Sequence, residues 1–401
     1  MYNKNNARPS RNKNKRKKQG HQGGGQNNKR KFTGDDIDIN RFINKAGAKE
    51  KAEIFTPRYS FADLKIQDTL KQSIALRGFS NPTPIQDQTI PLILEGKDVV
   101  GLANTGTGKT AAFLIPMINK ILKNPQEKIL IVVPTRELAI QIQEEFSAFC
   151  KKINLTSVVI VGGANIQGQI RQLKSHHNVI IGTPGRLKDL IGQKKINLAQ
   201  FKNVVLDEAD RMLDMGFIND MKWMLSLVDK NRQMMLFSAT FSPEVKKLSD
   251  QFLNNPHQIA IQSKEISSQI DQDIITITAQ MDKVDTLHKL LIQDNFEKVL
   301  IFTRTKHGAD KLSKKLRQRG LASEAIHGDK SHNRRQKALG MFKEKVVDVL
   351  IATDVASRGL DIPNVSHVIN YDVPSTYDDY IHRIGRTGRA DKKGTALTFI
   401  G

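Results

Sequence analysis

The chain has 401 residues, 38% of them apolar and 26% charged, with a formal net charge of +22. That length accommodates two ordinary domains with ample core. No apolar run reaches the length of a membrane span, the N-terminus lacks the apolar core of a secretion signal, and the lone Cys150 cannot form a disulfide within the chain, so a cytosolic protein is expected.

In chain order, residues 1–31 carry eleven Lys and Arg and no acid, half of the net charge, among Asn, Gln and Gly. Such a stretch buries too little surface to offset its chain entropy, which predicts a disordered basic extension over 1–54. It either attracts polyanions without reading sequence or serves as a solubilising tail. From Phe55 short β-branched runs alternate with helical patterns: "DVVGLA" (98–103), "KILIVV" (128–133), "TSVVIV" (156–161), "NVIIG" (178–182), "NVVLD" (203–207) and "MMLFSAT" (234–240). Nearly continuous apolar strands imply sheets covered on both faces by helices. A polar stretch over 262–272 reads as a linker, and "DIITIT" (273–278), "KVLIFT" (298–303), "VDVLIAT" (347–353), "SHVINYD" (366–372) and "TALTFI" (395–400) follow. The expectation is α/β, with two parallel-sheet domains, 55–261 and 273–401, joined by a short hinge.

The first strand empties into "ANTGTGKT", Ala103 to Thr110, ahead of a helical pattern. This is close to the phosphate loop G-x-x-x-x-G-K-[ST], with Ala103 in the first glycine position. Gly106 and Gly108 let backbone N–H groups curl around an anion at a helix N-terminus, with Thr105 and Thr107 between them. Lys109 is expected to reach the β- and γ-phosphates of a nucleotide, and the Thr110 hydroxyl to bind Mg²⁺. A buried strand that ends in Asp207, Glu208 and Asp210 needs a positive partner. Asp207 fits the carboxylate that shares that Mg²⁺, and Glu208 the group that orients or deprotonates the attacking water.

"DEAD" at 207–210, with these motifs in order, resembles the signature of the DEAD-box ATP-dependent RNA helicases of superfamily 2, over residues from about 61 to 401. The resemblance implies two tandem RecA-like domains, ATP and Mg²⁺ as cofactors, and RNA as partner. "GFSNPTPIQ" (78–86) is similar to the family's adenine-recognition motif. A Gln86 amide offers one donor and one acceptor to the N6/N7 edge of adenine; Phe79 can stack on the base and Phe61 pack behind it. In the family the hydroxyls of "SAT", here Ser238 and Thr240, bond to the last acid, Asp210, and couple nucleotide state to strand separation; His382 is placed with this coupling set. "HRIGRTGR" (382–389) sets Arg386 and Arg389 three apart, as arginine fingers for the γ-phosphate, and Asp361 resembles the ribose contact.

Strand-binding motifs also appear in both halves. The first domain has "PTRELA" (Pro134, Thr135, Arg136), Gly162–Gly163 and "TPGR" (Thr183, Gly185, Arg186). The second has "FTRT" (Arg304), "HGD" with Arg335, and "TDVASRG" (Thr353, Arg358). Arg, Thr hydroxyls and glycine N–H groups suit phosphate and 2′-OH, so sequence-independent RNA binding along the backbone is expected, with no aromatic platform among these motifs. His332 stands where the family usually has Gln, which predicts altered affinity. The chain stops just after its last strand, where family cores continue into a further helix, which points to a truncated end. Besides a helicase, the residues admit an ATP-gated RNA clamp or a DNA helicase on the same core; the default oligomeric state is a monomer.

Overall fold

A computed structural model describes residues 42–43, 55–104, 106–261, 270–354, 365–388 and 393–401, with His332 and Asp378 as backbone only. The basic arm, apart from Phe42 and Ile43, lies outside the described residues, as do Thr105, Arg358, Asp361 and Arg389.

The first domain's sheet contains β1 (Val99–Leu102), β2 (Ile129–Val132), β3 (Ser157–Ile160), β4 (Val179–Gly182), β5 (Asn203–Leu206), β6 (Gln233–Ser238) and β7 (His257–Ala260). Its seven strands run in the order β3-β4-β2-β5-β6-β1-β7, every pair parallel. The second sheet contains β8 (Ile270–Thr276), β9 (Val299–Phe302), β10 (Ser323–Ile326), β11 (Val349–Ala352), β12 (His367–Asn370) and β13 (Gly394–Ile400). Its six strands run β10-β11-β9-β12-β13-β8, again all parallel.

Both faces of each sheet are buried, and alternation along the strands shows it. In the first sheet Ile129, Ile131, Val205 and Met235 join one apolar cluster, while Leu130, Val132, Val204 and Met234 join the other. The second sheet divides likewise, with Val299 and Ile301 on one side and Leu300 and Phe302 on the other. Two-sided burial is why the runs read as continuously apolar rather than alternating.

Two strands lack that signal. β7, with three of its four residues exposed, and β10, "SEAI", are both edge strands, where one flank needs no apolar cover. β8 starts at Ile270, inside the stretch assigned to the linker, because Ile270 is fully buried and pairs with Gly394.

In parallel sheets the strand C-termini share one edge, and helix N-termini gather there. Thr135 caps the helix Arg136–Phe149, Thr305 the helix Lys306–Gln318 and Thr376 the helix Tyr377–Ile384, each hydroxyl accepting a backbone N–H. Thr135 and Thr305, which belong to the quoted motifs, therefore have a structural duty of their own.

Among the described residues no helix is long and apolar enough to cross a membrane. Cys150, the C-cap of Arg136–Phe149, is buried, and burial pushes its thiol up to about 12. Near neutral pH its thiolate fraction falls about 10³-fold below that of the unfolded chain. The native protein is therefore expected to resist iodoacetamide until denaturant is added; mass spectrometry showing equal labelling in both states would contradict this burial.

Candidate active site and the facing groove

β1 runs into the phosphate loop, and Ala103 N donates to Ser238 O at 3.0 Å, which prolongs the β1–β6 pairing up to the turn. Gly106 and Gly108 both have left-handed φ, +87° and +93°. At Gly108 a Cβ would also land on the Gln86 amide, so glycine is required there twice over. Lys109 opens the helix Lys109–Lys123, only 6% exposed, and its Nζ donates to Ala103 O at 2.7 Å. Thr107 Oγ1 donates to Asn104 O, and Thr83 Oγ1 to Thr107 O, so the helix Pro84–Leu94 is stitched to the loop.

Gln86 belongs to that stitching. Its Oε1 accepts from Thr83 N and its Nε2 donates to Gly108 O, both at 2.9 Å. Each bond uses one of two acceptor lone pairs and one of two N–H donors, so the amide keeps one of each for the adenine edge expected from sequence. The signal for the Thr83 bond was available, since "TPIQ" is a capping box, T-x-x-Q, at a helix start. Phe61 is buried, and its ring centroid is 6.2 Å from that of half-buried Phe79. Phe79 also meets Phe149 edge-on, and Arg77 lies 4.3 Å from the Phe149 centroid and 5.2 Å from that of Phe79. Arg77, held at 3.0 Å by Glu145, was not singled out from sequence. Only the fold brings it to the aromatic pair.

The acids close the other end. Asp207, at the tip of β5, is 3% exposed and accepts from Glu208 N at 2.9 Å. Burial pushes its carboxyl up to about 6, against the pull of Lys109. Glu208 has φ +52°, a left-handed conformation that costs a non-glycine residue about 1–2 kcal/mol. Its carboxylate meets Arg211 at 2.7 Å, both buried. Burial raises Glu208, but Arg211 and Lys109 outweigh it and hold the group below its ordinary value. Arg211, three residues on, is a further residue sequence reading missed. Asp210 Oδ2 accepts from the Ala239 and Thr240 N–H groups and from Thr240 Oγ1, at 2.9–3.1 Å. Ser238 Oγ instead accepts from Asp210 N at 3.3 Å, so its hydroxyl meets the backbone and not the carboxylate. Burial pushes the Asp210 carboxyl up, yet the Thr240 N–H, Lys109 and His382 bring it down.

A cavity of about 500 Å³ joins these parts, lined by Arg77, Phe79, Gln86, Gly106, Gly108, Lys109, Thr110, Asp207 and Glu208. Arg386 of the second domain, 5% exposed, lines it too, and His382 and Arg386 border the smaller space beside Glu208 and Asp210.

A second cavity of about 370 Å³ faces Pro134, Thr135, Arg136, Gly162, Thr183, Gly185 and Arg186 of the first domain and Arg335 of the second. Arg335 Nη2 stands 3.0 Å from Glu137 Oε1. Gly163 has φ +70°, and a Cβ there would fall on the Arg136 guanidinium. Burial lowers Arg136, with Arg335 and Arg186 adding like charge and Glu137 opposing. Met215 and Phe217 complete the lining, so an aromatic edge is present although none was expected. Besides Gly163, which abuts Arg136 without lining the cavity, two described candidates are not part of this groove. Arg304 lines a separate cavity with Lys283, Asp372 and Phe399, and Thr353 follows β11 without joining the lining.

The order and spacing of these parts match known proteins. The DEAD/DEAH box helicase domain matches residues 83–248, and the helicase conserved C-terminal domain matches 282–391. The ATP-dependent RNA helicase CshA of Limosilactobacillus reuteri is 45% identical over 341 residues, 85% of this chain and 69% of the relative. The chain belongs to the DEAD-box family of superfamily 2 RNA helicases.

The DEAD-box RNA helicase CshA of Bacillus subtilis is 46% identical over 85% of this helicase and 69% of its own length, and that of Bacillus cereus 44% identical over 65% of its length. Among solved structures, S. cerevisiae Dbp5 bound to RNA and ADP BeF3 superposes with a TM-score of 0.75 at 34% identity, covering 85% of this chain and 89% of that one. Mss116p bound to ssRNA and AMP-PNP gives 0.75 at 31%, covering 85% and 75%. A DEAD box protein of Methanococcus jannaschii, 40% identical over 85% and 93%, gives 0.51.

Proposed function

We infer that this DEAD-box protein is an ATP-dependent RNA helicase that hydrolyses ATP to ADP and phosphate and uses the cycle to separate short RNA duplexes or remodel ribonucleoprotein. One observation carries the reading: Arg386 of the second domain enters the cavity of Lys109, Asp207 and Glu208, while Arg335 of the same domain meets Glu137 beside Arg136. Both cavities are complete only when the domains meet, so occupancy of one favours the other.

Lys109 leaves Ala103 O for the phosphates, the loop N–H groups receive them, and Phe79 packs on the base with Gln86. Glu208 holds the attacking water and takes its proton, and Arg386 balances charge as the γ-phosphoryl group departs. Mg²⁺ suits the donors present. Among the described residues no cluster of three or more His, Cys, Asp or Glu could hold an ion alone, whereas a buried Asp207 carboxylate beside Thr110 is the sparse set Mg²⁺ uses with phosphates. When bound, the ion neutralises phosphate charge. Asp210, through Ala239 and Thr240, ties the acids to the end of β6. Arg136, Arg186 and Arg335, with Thr135 and Thr183, take the RNA backbone, and the protein works in the cytoplasm.

Steady-state ATP hydrolysis with and without single-stranded RNA, beside displacement of a short duplex, tests this. Strong stimulation with strand release is expected; equal rates with and without RNA would refute it. Stimulation without release would mark a clamp, and equal stimulation by DNA a different helicase. Gly163→Ala is expected to push the Arg136 guanidinium aside and weaken RNA binding about 10-fold, the scale of one charge-assisted contact, without changing ATP affinity. Fluorescence anisotropy with labelled RNA reads this directly, and undiminished affinity would place RNA elsewhere.

A further inference from the structure

Phe42 precedes the first domain in sequence yet is buried in the second. It is 1% exposed, with its ring centroid 4.5 Å from that of Tyr380, in a cluster with Ile270, Ile384 and Ala396. The sequence reading put this residue in the disordered extension; Phe42 stands with Ile37, Ile39 and Ile43 in a run too short for a clear period, and its partners lie more than 200 positions away.

We propose that Phe42 is a positioning residue for Arg386, holding the helix Tyr377–Ile384 at the height from which the arginine reaches the nucleotide cavity. The proposal deepens the ATPase reading above and rests on it. The cluster occupies the corner between that helix and β13–β8, and β8 is the last strand of its sheet. Among the described residues no further strand pairs beyond β8, and the aromatic that fills the corner comes from upstream of residue 83, where the family domain begins.

The same helix is held on another side by polar contacts. Arg383 Nε and Nη2 donate to Asp354 at 2.6 and 2.8 Å and Nη1 to Asp372 O at 2.7 Å, and Tyr380 Oη donates to Gln272 at 2.9 Å. With Phe42 removed, the helix keeps those tethers but loses the ring packed on Tyr380, and it can tilt into the vacated corner. Ile384, whose side chain borders Phe42's cluster, lies two residues before Arg386. Its carbonyl accepts Thr387 N at 3.0 Å, and Arg386 N donates to Arg383 O at 3.2 Å. A tilt at Ile384 therefore passes through one tight turn to the guanidinium, and transition-state stabilisation falls steeply with displacement.

The test uses the full chain: saturating RNA, steady-state hydrolysis for Phe42→Ala and Phe42→Leu, and single-turnover hydrolysis for Arg386→Ala with and without Phe42→Ala. Phe42→Ala is expected to lower kcat about 10-fold with KM for ATP within about twofold, and Phe42→Leu to recover most of the loss. In the Arg386→Ala background Phe42→Ala is expected to add nothing, because the group it positions is gone. Unchanged kcat in Phe42→Ala, or an equal loss in both backgrounds, would overturn the proposal. An unsubstituted chain without RNA-stimulated turnover would instead overturn the helicase reading, and this inference with it.

Discussion

Arg386→Ala is expected to lower RNA-stimulated ATP turnover by about 10³–10⁵-fold and to leave the KM for ATP within a few-fold. The split follows from which domain holds what. The aromatic pair, Gln86 and the phosphate loop all belong to the first domain and meet one another there. Arg386 arrives from the second, 5% exposed, beside the buried Lys109, Asp207 and Glu208. In the proposed mechanism a guanidinium held there, away from bulk water, would act where charge moves as the phosphoryl group departs, so its loss is expected to fall on kcat. Arg386→Lys is expected to recover little, because a point charge lacks the planar fork. Steady-state kinetics at saturating RNA decide the matter: a raised KM with intact kcat would mean that Arg386 only binds the ground state.

Glu208→Gln is expected to cost about 10²–10⁴-fold in turnover while ATP-dependent RNA binding persists. Glutamine keeps the shape but cannot take a proton. The side chain sits on a left-handed backbone at the end of a buried strand, and strain of that kind persists where the surroundings over-determine it. Arg211 supplies part of that determination, together with the charge that keeps the carboxylate ionised. Arg211→Ala should therefore raise the Glu208 pKa. Asp207, pushed up to about 6, titrates first as pH falls and sets the acidic limb of activity, so the Glu208 shift is expected in a carboxyl-resolved NMR titration. A Glu208 pKa that stays in place would show that Arg211 does not hold it, and wild-type turnover in Glu208→Gln would remove Glu208 from the chemistry.

Much of the architecture was legible because two-sided burial leaves an unmistakable trace. Eleven apolar runs each contain an observed strand or most of one, and the two strands without a run, β7 and β10, are edges. The phosphate loop and the acids were legible for a related reason: few residue types can turn a backbone through left-handed φ or end a buried strand in charge. Contacts made by ordinary residues at long range were not. Arg77 on Phe149, and Phe217 and Met215 at the groove, have no distinctive spacing, whereas Arg211 at i+3 from Glu208 was a local signal left unread. Gln86 lines the cavity, but of its partners only Thr83 N follows from helix capping; Gly108 O is reached through the fold.

By itself, then, the sequence determined the local geometry: which loop turns on glycines of left-handed φ and which strand ends in carboxylates. Those properties depend on neighbours within a few residues, where backbone geometry leaves little choice. Tertiary structure decided which of these pieces meet. Arg386 faces Glu208 across 178 positions, Arg335 faces Glu137, and Phe42 packs on Tyr380. Such encounters are set by packing of whole domains, a sum of many weak apolar contacts in which no single residue type announces its partner.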